Sequence, residues 1–335
     1  MYASEWRHSA QEVDQRLWQR ISLLEMFALA LCFGLAGIFA WYRSQGKAFS
    51  YDFETYLLAG NGDLGVHYYA FWILPVFQIL AALPSILSFF IWNALNILGV
   101  FAASRILGEE KRWALALLTY QMFYVLYYGN IVGILIVGLA LLWWGLTHRR
   151  WHLAGLGLVL AVTKYQLGLS FGLILLLMAD ISWRDRLKVF VVPFLTLLVS
   201  LLIYPLWPIE SMRIILANPP NSLGNISLWQ WLGPFALLLW LPPLGLPLSA
   251  QQRLIALAAT ATMTLPYFQQ TDLLALFVPP LGWLPLVGNL GFYLYAKYTW
   301  QGFAVLAIIP LFIYLRIIGP PIVSWLRQKT ADNSN

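Results

Sequence analysis

The stretch ISLLEMFALALCFGLAGIFAWY, residues 21–42, decides the fold class of this chain. Its only charged side chain is that of Glu25, and the remaining residues are predominantly apolar. A helix of about 20 such residues spans the hydrocarbon core of a bilayer. The alternation of apolar and polar residues that marks a strand of an outer-membrane β-barrel does not occur in it. The stretch therefore predicts a transmembrane α-helix.

The composition extends this prediction to the whole chain. Of its 335 residues, 61% are hydrophobic and 10% are charged, whereas a soluble domain carries about 25% charged residues. Several further apolar stretches follow the first, and they predict helices rather than strands. The predicted fold class is all-α, a polytopic integral membrane helical bundle of roughly ten to twelve transmembrane or half-membrane helices.

The single cysteine and the net charge exclude two classes of function. Cys32 lies inside the first apolar stretch, so the chain has neither an intramolecular disulfide framework nor a cysteine-based metal site. The net charge of +6 comes from basic residues in short loops beside apolar stretches. The positive-inside bias of membrane proteins explains this placement without a nucleic-acid partner. No cofactor or metal is expected.

Counting basic residues gives the orientation and the domain boundaries. If residues 1–20 form a cytoplasmic arm, eleven lysines and arginines of the first 190 residues lie inside and only three lie outside. The membrane domain then covers residues 21–318, with an outer loop at 43–69 and a polar tail at 319–335. The prediction is a multi-pass protein of the plasma (inner) membrane with a cytoplasmic N-terminus.

Some of the apolar stretches are predicted to be broken helices. The stretch 70–106 is interrupted near Pro75 and Pro84 and has to make a net single crossing. Residues 153–180 are too few for two full spans, so we expect two short helices that meet around residues 163–166. Broken backbone at membrane depth requires a protein cover or a wet cavity, which predicts that Lys164 lines a cavity.

The other predicted elements follow from local sequence patterns. Further spans are expected at the ranges 189–207, 228–247 and 254–266, and the segment DFETYLLAGNG is expected to form a short helix ended by glycine. The segments GNIVG and GLSFG have the spacing of small residues at which helices pack closely. His148 and His152 lie in a basic loop and mark topology only, and the glycosylation sequon at Asn225 is a pattern common by chance.

This topology places a set of ionisable residues on the outer side. They come from segments far apart in the chain: Asp52, Glu54, Asp63, His67, Lys164, Arg213 and Asp272. Such a set suits acid–base chemistry on a substrate with an anionic part, and a lipid-linked phosphate is the natural candidate. Simpler roles remain open. Glu54 and Asp63 can be solvated loop residues, Asp52 a favourable first-turn carboxylate, Lys164 a snorkelling side chain and Asp272 a helix cap.

Several segments, in order, resemble a known family. They are SYDFETYLLAG, VHYY, IWNALN, YYGNIVGILIVGLAL, HLAGLGLVLAVTKYQLGL, GNISLWQWLG and LPYFQQTDLLALFVPP. Together they cover about residues 20–285, and they resemble the GT-C glycosyltransferases that use polyprenyl-phosphate sugars, in particular the mannosyltransferase-like family 87. Two departures affect donor recognition: the family's glutamine is Asn130 here, and the proline after its lysine is Tyr165.

The resemblance implies a reaction and a set of site residues. Asp52 corresponds to the catalytic aspartate of the first outer loop, a base that deprotonates an acceptor hydroxyl while the sugar leaves polyprenyl phosphate with inversion. Lys164 corresponds to a lysine that can hold the departing phosphate, and Asp272 to a later acidic substrate-binding position. The matched segments add His67, Tyr69, Asn130 and Tyr165 as donor-binding candidates. The implied partners are a polyprenyl-phosphate-linked sugar, with mannose as the suggested sugar, a glycan or lipid acceptor, and membrane lipids.

Two other functions remain open on the sequence. A transporter or flippase of a lipid-linked saccharide would use the same cavity without bond chemistry. The chain shows no internal repeat and no acidic relay through the middle of its helices, which favours the enzyme. A non-catalytic assembly subunit would leave the clustering of ionisable residues unexplained.

Overall fold

The computed structural model describes residues 20–47, 50–67, 69–107, 111–217, 224–278 and 283–332. Within these ranges the protein is helical, and no β-strand is found; one isolated bridge joins Asn225 and Gln269. The all-α prediction is confirmed. The predicted arm at 1–20 lies outside the described residues except for Arg20.

The first half of the chain contains helices of very different lengths. Its α-helices are α1 (Leu23–Ser44), α2 (Tyr51–Gly60), α3 (Leu74–Ala81), α4 (Ser85–Leu107), α5 (Tyr120–Tyr128), α6 (Val132–Thr147), α7 (Trp151–Val162) and α8 (Tyr165–Met178). Short 3₁₀ helices at Leu64–Val66, Phe71–Ile73 and Lys111–Leu118 join some of them. The predicted short helix in the first outer loop is α2, and it does end at a glycine.

The second half is more fragmented. Its α-helices are α9 (Trp183–Ile203), α10 (Trp207–Ala217), α11 (Trp229–Leu232), α12 (Leu241–Gly245), α13 (Ala250–Thr264), α14 (Leu274–Phe277), α15 (Leu290–Tyr298) and α16 (Ile308–Asp332). The 3₁₀ helices lie at Gly233–Trp240, Gln270–Leu273, Leu284–Asn289 and Thr299–Ala307. Helix α16 continues through most of the predicted polar tail.

Four continuous helical stretches among the described residues are long and apolar enough to cross a membrane. They are α1, α4, α9 and the stretch Gly302–Ser324, which includes most of α16. Helices α5 and α6 together have the length and composition of a fifth span, but they are bent by 119° at the turn between them. Side chains of α9 such as Leu195, Leu198 and Leu202 are exposed, as expected of a helix that faces lipid rather than water. The polytopic membrane prediction is confirmed.

The helix breaks predicted near Pro84 and Lys164 are present, whereas some predicted boundaries are wrong. The break predicted near Pro75 is also wrong, because this proline lies in the first turn of α3, where it is tolerated. The chain breaks between α3 and α4 at Pro84 and between α7 and α8 at Lys164. The span expected at 189–207 begins earlier, because Ser182 caps α9 by accepting a hydrogen bond from the backbone N–H of Asp185. The span expected at 228–247 is divided into α11, a 3₁₀ helix and α12, with prolines at the start of the last two. Proline removes a backbone donor and therefore interrupts a regular helix.

Helices α6, α7 and α8 pack so closely that their contact surfaces have little room for side chains. A Cβ on Gly138 would lie 2.4 Å from the backbone nitrogen of Ala161 on α7. A Cβ on Gly168 would lie 2.0 Å from the carbonyl oxygen of that same Ala161. A Cβ on Gly133 would lie 2.6 Å from the Cα of Asn96 on α4, whereas one on Gly172 would meet only side-chain carbons, the nearest that of Leu158 at 2.8 Å. The close packing predicted for GNIVG is therefore present at Gly133, and that predicted for GLSFG at Gly168. The helices on both sides of Lys164 are thus closely packed, α7 against α6 and α8 against α7.

An aromatic cluster packs α2 against α3 and α4. The ring of Tyr56 stacks on Phe77 at a centroid distance of 4.6 Å, and Phe53 packs edge-on against Phe89 at 5.1 Å. Trp92 of α4 contacts both Phe53 and Tyr56. Paired aromatic rings contribute more than their buried area alone. These ring contacts therefore hold α2 in a fixed position against α3 and α4.

The contact between α7 and α8 can be tested by enlarging Gly168. The variant Gly168→Ala places a methyl group where the Ala161 carbonyl lies, so the helices have to separate. We expect a loss of about 1–3 kcal/mol in unfolding free energy, measured by thermal unfolding of the purified protein in detergent. Gly37→Ala is the matched control, because no heavy atom lies within 4 Å of the added carbon. Equal stability of the two variants would contradict the close contact.

Candidate active site

Asp52 lies in the first turn of α2, and its carboxylate points towards the start of α6. Its Oδ2 accepts a hydrogen bond of 2.6 Å from Nδ2 of Asn130. The residue as a whole is partly exposed, but protein atoms surround the carboxyl group. This burial raises the pKa of Asp52 above its usual value, while the Asn130 hydrogen bond and the charge of Lys164 lower it and the charge of Asp272 raises it. The net pKa is raised.

The turn that carries Asn130 is fixed by the polar residues of IWNALN on α4. Trp92 Nε1 donates to the carbonyl of Gly129 at 2.7 Å, and Asn93 Nδ2 donates to the carbonyl of Leu126 at 3.0 Å. Asn96 Oδ1 accepts from the N–H of Gly133 at 2.9 Å. Buried polar groups are normally satisfied in this way. The supporting bonds hold the bend between α5 and α6, and with it Asn130, in one position.

The orientation of the Asn130 amide follows from its second bond. Its Oδ1 accepts from the backbone N–H of Val132 at 3.1 Å, at the start of α6. Because the oxygen is used there, the NH₂ group is the one directed at Asp52. An amide has a donor end and an acceptor end, so this arrangement favours an acceptor on α2. In the structure this acceptor is the Asp52 carboxylate.

Lys164 and Asp272 form a buried ion pair at the break between α7 and α8. Lys164 Nζ lies 2.5 Å from Asp272 Oδ1, and both side chains are less than a tenth exposed. The second oxygen of Asp272 accepts from the backbone N–H of Gln269 at 3.2 Å. Asp272 thus caps the local turn, as considered for it, and also neutralises Lys164; its role in substrate binding stays a prediction. A buried ion needs such a partner because of the cost of its desolvation.

The break beside Lys164 is also tied to the outer loop. The carbonyl of Thr163 accepts a 3.1 Å hydrogen bond from the N–H of Ala70, and its hydroxyl accepts from Trp72 Nε1 at 3.3 Å. Backbone groups that leave a helix inside a membrane protein need other partners. The segment after the first outer loop supplies them, and it thereby brings α2 and Lys164 into one region.

A further loop anchors the segment that carries Asp272. Asn225 Nδ2 donates to the carbonyl of Pro266, and its Oδ1 accepts from the N–H groups of Ser227 and Phe268, each at 3.0 Å. Asn225 is buried, at 6% exposure. The amide is used structurally, which agrees with the interpretation of the sequon as a chance pattern.

The structure therefore brings four of the sequence-predicted site residues together: Asp52, Asn130, Lys164 and Asp272. A fifth, Tyr69, lies close to them. Burial is the main cause that raises the pKa of its hydroxyl, and the charges of Asp52 and Asp272 add to it. Its OH also pairs with that of Tyr56 at 3.2 Å. These residues come from the outer loop, the α5–α6 turn, the α7–α8 break and the segment before α14. Their participation in a reaction stays a prediction.

His67 and Tyr165 lie at the edges of this group. The imidazole of His67 is buried among the rings of Tyr69, Phe71 and Phe77. Burial lowers the pKa of His67 to about 4, and the nearby backbone of Ala70 opposes this shift, so the ring is neutral at neutral pH. The hydroxyl of Tyr165 is buried and has no hydrogen-bond partner within the described residues. A donor role for either residue stays a prediction.

The other residues predicted to lie on the outer side are not part of the group. Glu54 pairs with Arg43, away from Asp52, as expected of two positions that do not share a helix face. Asp63 is exposed and caps a 3₁₀ turn, and Arg213 pairs with Glu210 in an exposed i,i+3 contact. In the described part of the chain, no group of three or more potential ligands is placed to hold a metal ion.

Sequence reasoning missed the residues that support the site. Tyr56 and Tyr267 lie close enough to Asp52 that its charge helps to raise the pKa of each hydroxyl, after burial as the main cause. Asn93 and Asn96 hold the turn that carries Asn130. A usable signal existed for the two asparagines, because polar residues inside an apolar span require an explanation. Tyr56 and Tyr267 gave no such signal, because the chain has 17 tyrosines and nothing local distinguishes these two.

A large apolar groove opens beside the Thr163–Lys164 break, although Lys164 itself is not among its lining residues. Its volume is about 610 Å³, and it is bounded by α7, α8, α9, α10 and the segment at residues 70–72. Val162 and Tyr165, on either side of the Thr163–Lys164 break, contribute to its wall, as do Ala70 and Trp72. The remaining walls consist mainly of leucine, phenylalanine, valine and proline side chains. The groove can therefore accept a hydrocarbon chain that ends near Lys164.

Comparison with known proteins gives one match. The family model described as glycosyltransferase family 87 matches residues 68–284. This range contains Asn130, Lys164 and Asp272, and it begins after Asp52. No curated protein and no solved structure matches the chain.

The Lys164–Asp272 pair can be tested by a double-mutant cycle. We expect Lys164→Met to lower the unfolding free energy by about 3–5 kcal/mol, because it leaves a buried carboxylate without its partner. Adding Asp272→Asn should recover part of this loss, since the buried charge is then removed. Thermal unfolding in detergent measures both effects.

The exposed Glu210–Arg213 pair provides the matched control for this cycle. Arg213→Met should change the stability by less than about 1 kcal/mol, as is usual for surface ion pairs. If Lys164→Met is as harmless as Arg213→Met, the buried pair does not exist in the folded protein.

Proposed function

The chain belongs to glycosyltransferase family 87 and is a membrane glycosyltransferase, and we propose that it transfers a sugar from a polyprenyl-phosphate donor, with Asp52 as the general base. The acceptor is a glycan or a lipid at the outer membrane face. The observation that carries the proposal is the placement of the Asp52 carboxylate, bound by Asn130, within electrostatic range of the buried pair Lys164–Asp272.

Asp52 is suited to remove a proton from an acceptor hydroxyl. In the proposed step the hydroxyl oxygen bonds to the anomeric carbon of the sugar and its proton moves to the Asp52 carboxylate. The bond from the anomeric carbon to the phosphate oxygen breaks on the opposite side, so the configuration inverts. The raised pKa makes the carboxylate a stronger base than a free aspartate, which suits general base catalysis.

Lys164 is suited to stabilise the departing phosphate. An ammonium group has three donors, and Asp272 uses one of them. The others remain for phosphate oxygens, and Asp272 holds the ammonium group in place. Fixed charges that meet a developing charge in a dry site are among the strongest contributions to catalysis. Asp272 is therefore proposed to act on the donor through Lys164.

The apolar groove beside Lys164 is suited to the prenyl chain. A polyprenyl phosphate has its charge at one end and a long hydrocarbon at the other. The groove places about 610 Å³ of apolar space against Tyr165, the residue after Lys164. The free hydroxyl of Tyr165 lies at this junction, where it can donate to a phosphate oxygen. Charge and groove thus match the two parts of one substrate.

The wider features of the family resemblance complete the proposal. The protein is proposed to be a GT-C type, inverting hexosyltransferase of the plasma (inner) membrane, with the N-terminus in the cytoplasm and the site facing outwards. The leaving group is already a phosphate monoester, so the reaction as proposed needs no divalent metal. Tyr69 and His67 are proposed to border the donor.

The proposed orientation can be tested with two single cysteines, one in the loop after α2 and one in the loop after α6. Asp63 and Arg149 are exposed, and Arg149 follows α6 at the end opposite Asn130, about 24 Å away along a 16-residue helix. We expect a membrane-impermeant thiol reagent added to intact cells to label Asp63→Cys and not Arg149→Cys. The native Cys32 is buried, so it gives little background. The reverse labelling pattern would overturn the proposed orientation.

The proposed base can be tested with reconstituted protein and a labelled polyprenyl-phosphate sugar. Asp52→Asn should reduce sugar transfer roughly 100- to 10,000-fold, the usual contribution of a general base. With wild-type protein, transfer should rise with pH through a midpoint above about 3.9, the ordinary aspartate value, because the raised pKa keeps Asp52 protonated to higher pH.

Two controls accompany this assay. Asp63→Asn, on the exposed part of the same loop, and Glu54→Gln, two residues from Asp52, should both retain transfer. If Asp52→Asn transfers as well as wild type, Asp52 is not the base. If wild-type protein moves the lipid-linked sugar across the membrane without transferring it, the chain is a transporter.

A further inference from the structure

The segment PYFQQTD, residues 266–272, carries a tyrosine that the proposed reaction does not use. Tyr267 lies between the end of α13 at Thr264 and Asp272, the partner of Lys164. The residue is half-buried, so part of its side chain remains accessible to a bound molecule. Its hydroxyl is polar and uncharged, which is the kind of group that recognises neutral substrate hydroxyls.

The backbone on both sides of Tyr267 is fixed by the buried side chain of Asn225. Nδ2 of Asn225 donates to the carbonyl of Pro266, and its Oδ1 accepts from the N–H of Phe268, each at 3.0 Å. The carbonyl of Phe268 in turn accepts from the N–H of Ile226 at 2.9 Å. A side chain held between two such fixed residues has little freedom to lose when it binds a ligand. Tyr267 is therefore preorganised for contact.

The hydroxyl of Tyr267 accepts one hydrogen bond and keeps its own proton available. Gln269 Nε2 donates to the Tyr267 oxygen at 2.5 Å. A phenolic hydroxyl is both a donor and an acceptor, and no acceptor for its proton is found among the described residues. Gln269 is itself held in place, because its backbone N–H donates to Asp272 Oδ2 at 3.2 Å. The structure thus presents a positioned donor without a partner.

Tyr267 lies near both charged parts of the proposed site. Gln269 links it to Asp272, and Asp272 contacts Lys164 at 2.5 Å. Burial is the main cause that raises the pKa of the Tyr267 hydroxyl; the charges of Asp272 and Asp52 add to it, and the hydrogen bond from Gln269 opposes it. Both carboxylates are therefore within electrostatic range of this one hydroxyl.

The transferred sugar has to occupy the space between those charged parts. In the proposed step its anomeric carbon lies between an acceptor hydroxyl at Asp52 and a phosphate oxygen at Lys164, because attack and departure occur on opposite sides. The sugar ring and its hydroxyl groups extend sideways from the line that joins these two residues. Tyr267 is near both ends of that line and does not line the apolar groove. It therefore borders the sugar rather than the prenyl chain.

We propose that Tyr267 donates a hydrogen bond to a hydroxyl oxygen of the transferred sugar, with Gln269 as the positioning residue that directs its proton. The proposal rests on the proposed function and adds a residue that recognises the sugar of the donor separately from its lipid. A site group that is left without its partner disfavours a sugar that lacks the matching hydroxyl or presents it elsewhere. Tyr267 is thus a specificity-determining residue.

The test compares lipids that differ only in the sugar. Purified full-length protein in neutral detergent is titrated with bare polyprenyl phosphate and with the same lipid carrying mannose, glucose or galactose. Bound lipid is counted by native mass spectrometry without an acceptor. We expect at least one sugar to increase the affinity of wild type over the bare lipid. Tyr267→Phe should weaken binding of that lipid roughly three- to ten-fold, the contribution of one neutral hydrogen bond, and should bind the bare lipid as wild type does.

Tyr204, at the end of α9, supplies the matched control, because its hydroxyl also accepts from a glutamine amide, Nε2 of Gln78 at 3.2 Å. Tyr204→Phe should bind both lipids as wild type does. Equal weakening of bare and sugar-bearing lipid by Tyr267→Phe would place this residue at the phosphate and overturn the proposal. No weakening at all, or no effect of any sugar on the affinity of wild type, would overturn it as well.

The positioning role of Gln269 has its own test. Gln269→Leu should weaken binding of the sugar-bearing lipid in the wild-type background and have no further effect in the Tyr267→Phe background, because it acts through Tyr267. Additive effects of the two substitutions would overturn this role.

The outcome is separable from that of the proposed base, because the binding measurement involves no proton transfer. Loss of transfer in Asp52→Asn, together with sugar binding that does not depend on Tyr267, would remove the sugar contact and leave the base in place. Sugar binding that depends on Tyr267, with transfer retained by Asp52→Asn, would do the reverse.

Discussion

The buried ion pair between Lys164 and Asp272 joins positions 108 residues apart in the chain, and it lies where the helix around Lys164 is broken. Two short helices, α7 and α8, meet at this point, and their closest approach at Ala161 and Gly168 leaves no room for a side chain. The freed backbone carbonyl of Thr163 is satisfied by the N–H of Ala70, which follows the loop at 43–69. A lysine at this depth is tolerated only because it is paired. The same arrangement places a cation beside an apolar groove, which is what a phosphate with a hydrocarbon tail requires.

The second half of the site is built on amide groups rather than charges. Asn93 and Asn96 of α4 hold the bend between α5 and α6, and the bend directs the Asn130 amide at Asp52. Neutral donors can orient a carboxylate without pairing its charge with a cation. Asp52 therefore keeps a raised pKa, whereas a direct arginine partner would lower it. The different partners of Asp52 and Asp272 suit different roles, a base for the first and the positioning of a cation for the second.

Much of this arrangement was predictable from the sequence. The apolar stretches, the prolines and the basic loops gave the helical membrane fold, the breaks near Pro84 and Lys164, and the common side of Asp52, Lys164 and Asp272. Hydropathy and proline act through the local chain, so a single sequence is enough to read them. The segment 228–247 was harder, because its hydropathy fits a continuous span while its prolines divide it into short helices.

The sequence by itself determined the helical membrane fold, the helix breaks near Pro84 and Lys164, and which charged residues are costly inside a membrane. Only the tertiary structure decided which of those charges meet. Glu54 forms an ion pair with Arg43, whereas Asp52 accepts a hydrogen bond from Asn130, although the two acids are two residues apart. Such pairings depend on distances between segments that are remote in the chain, and those distances are set by the packing of whole helices, which no local pattern encodes.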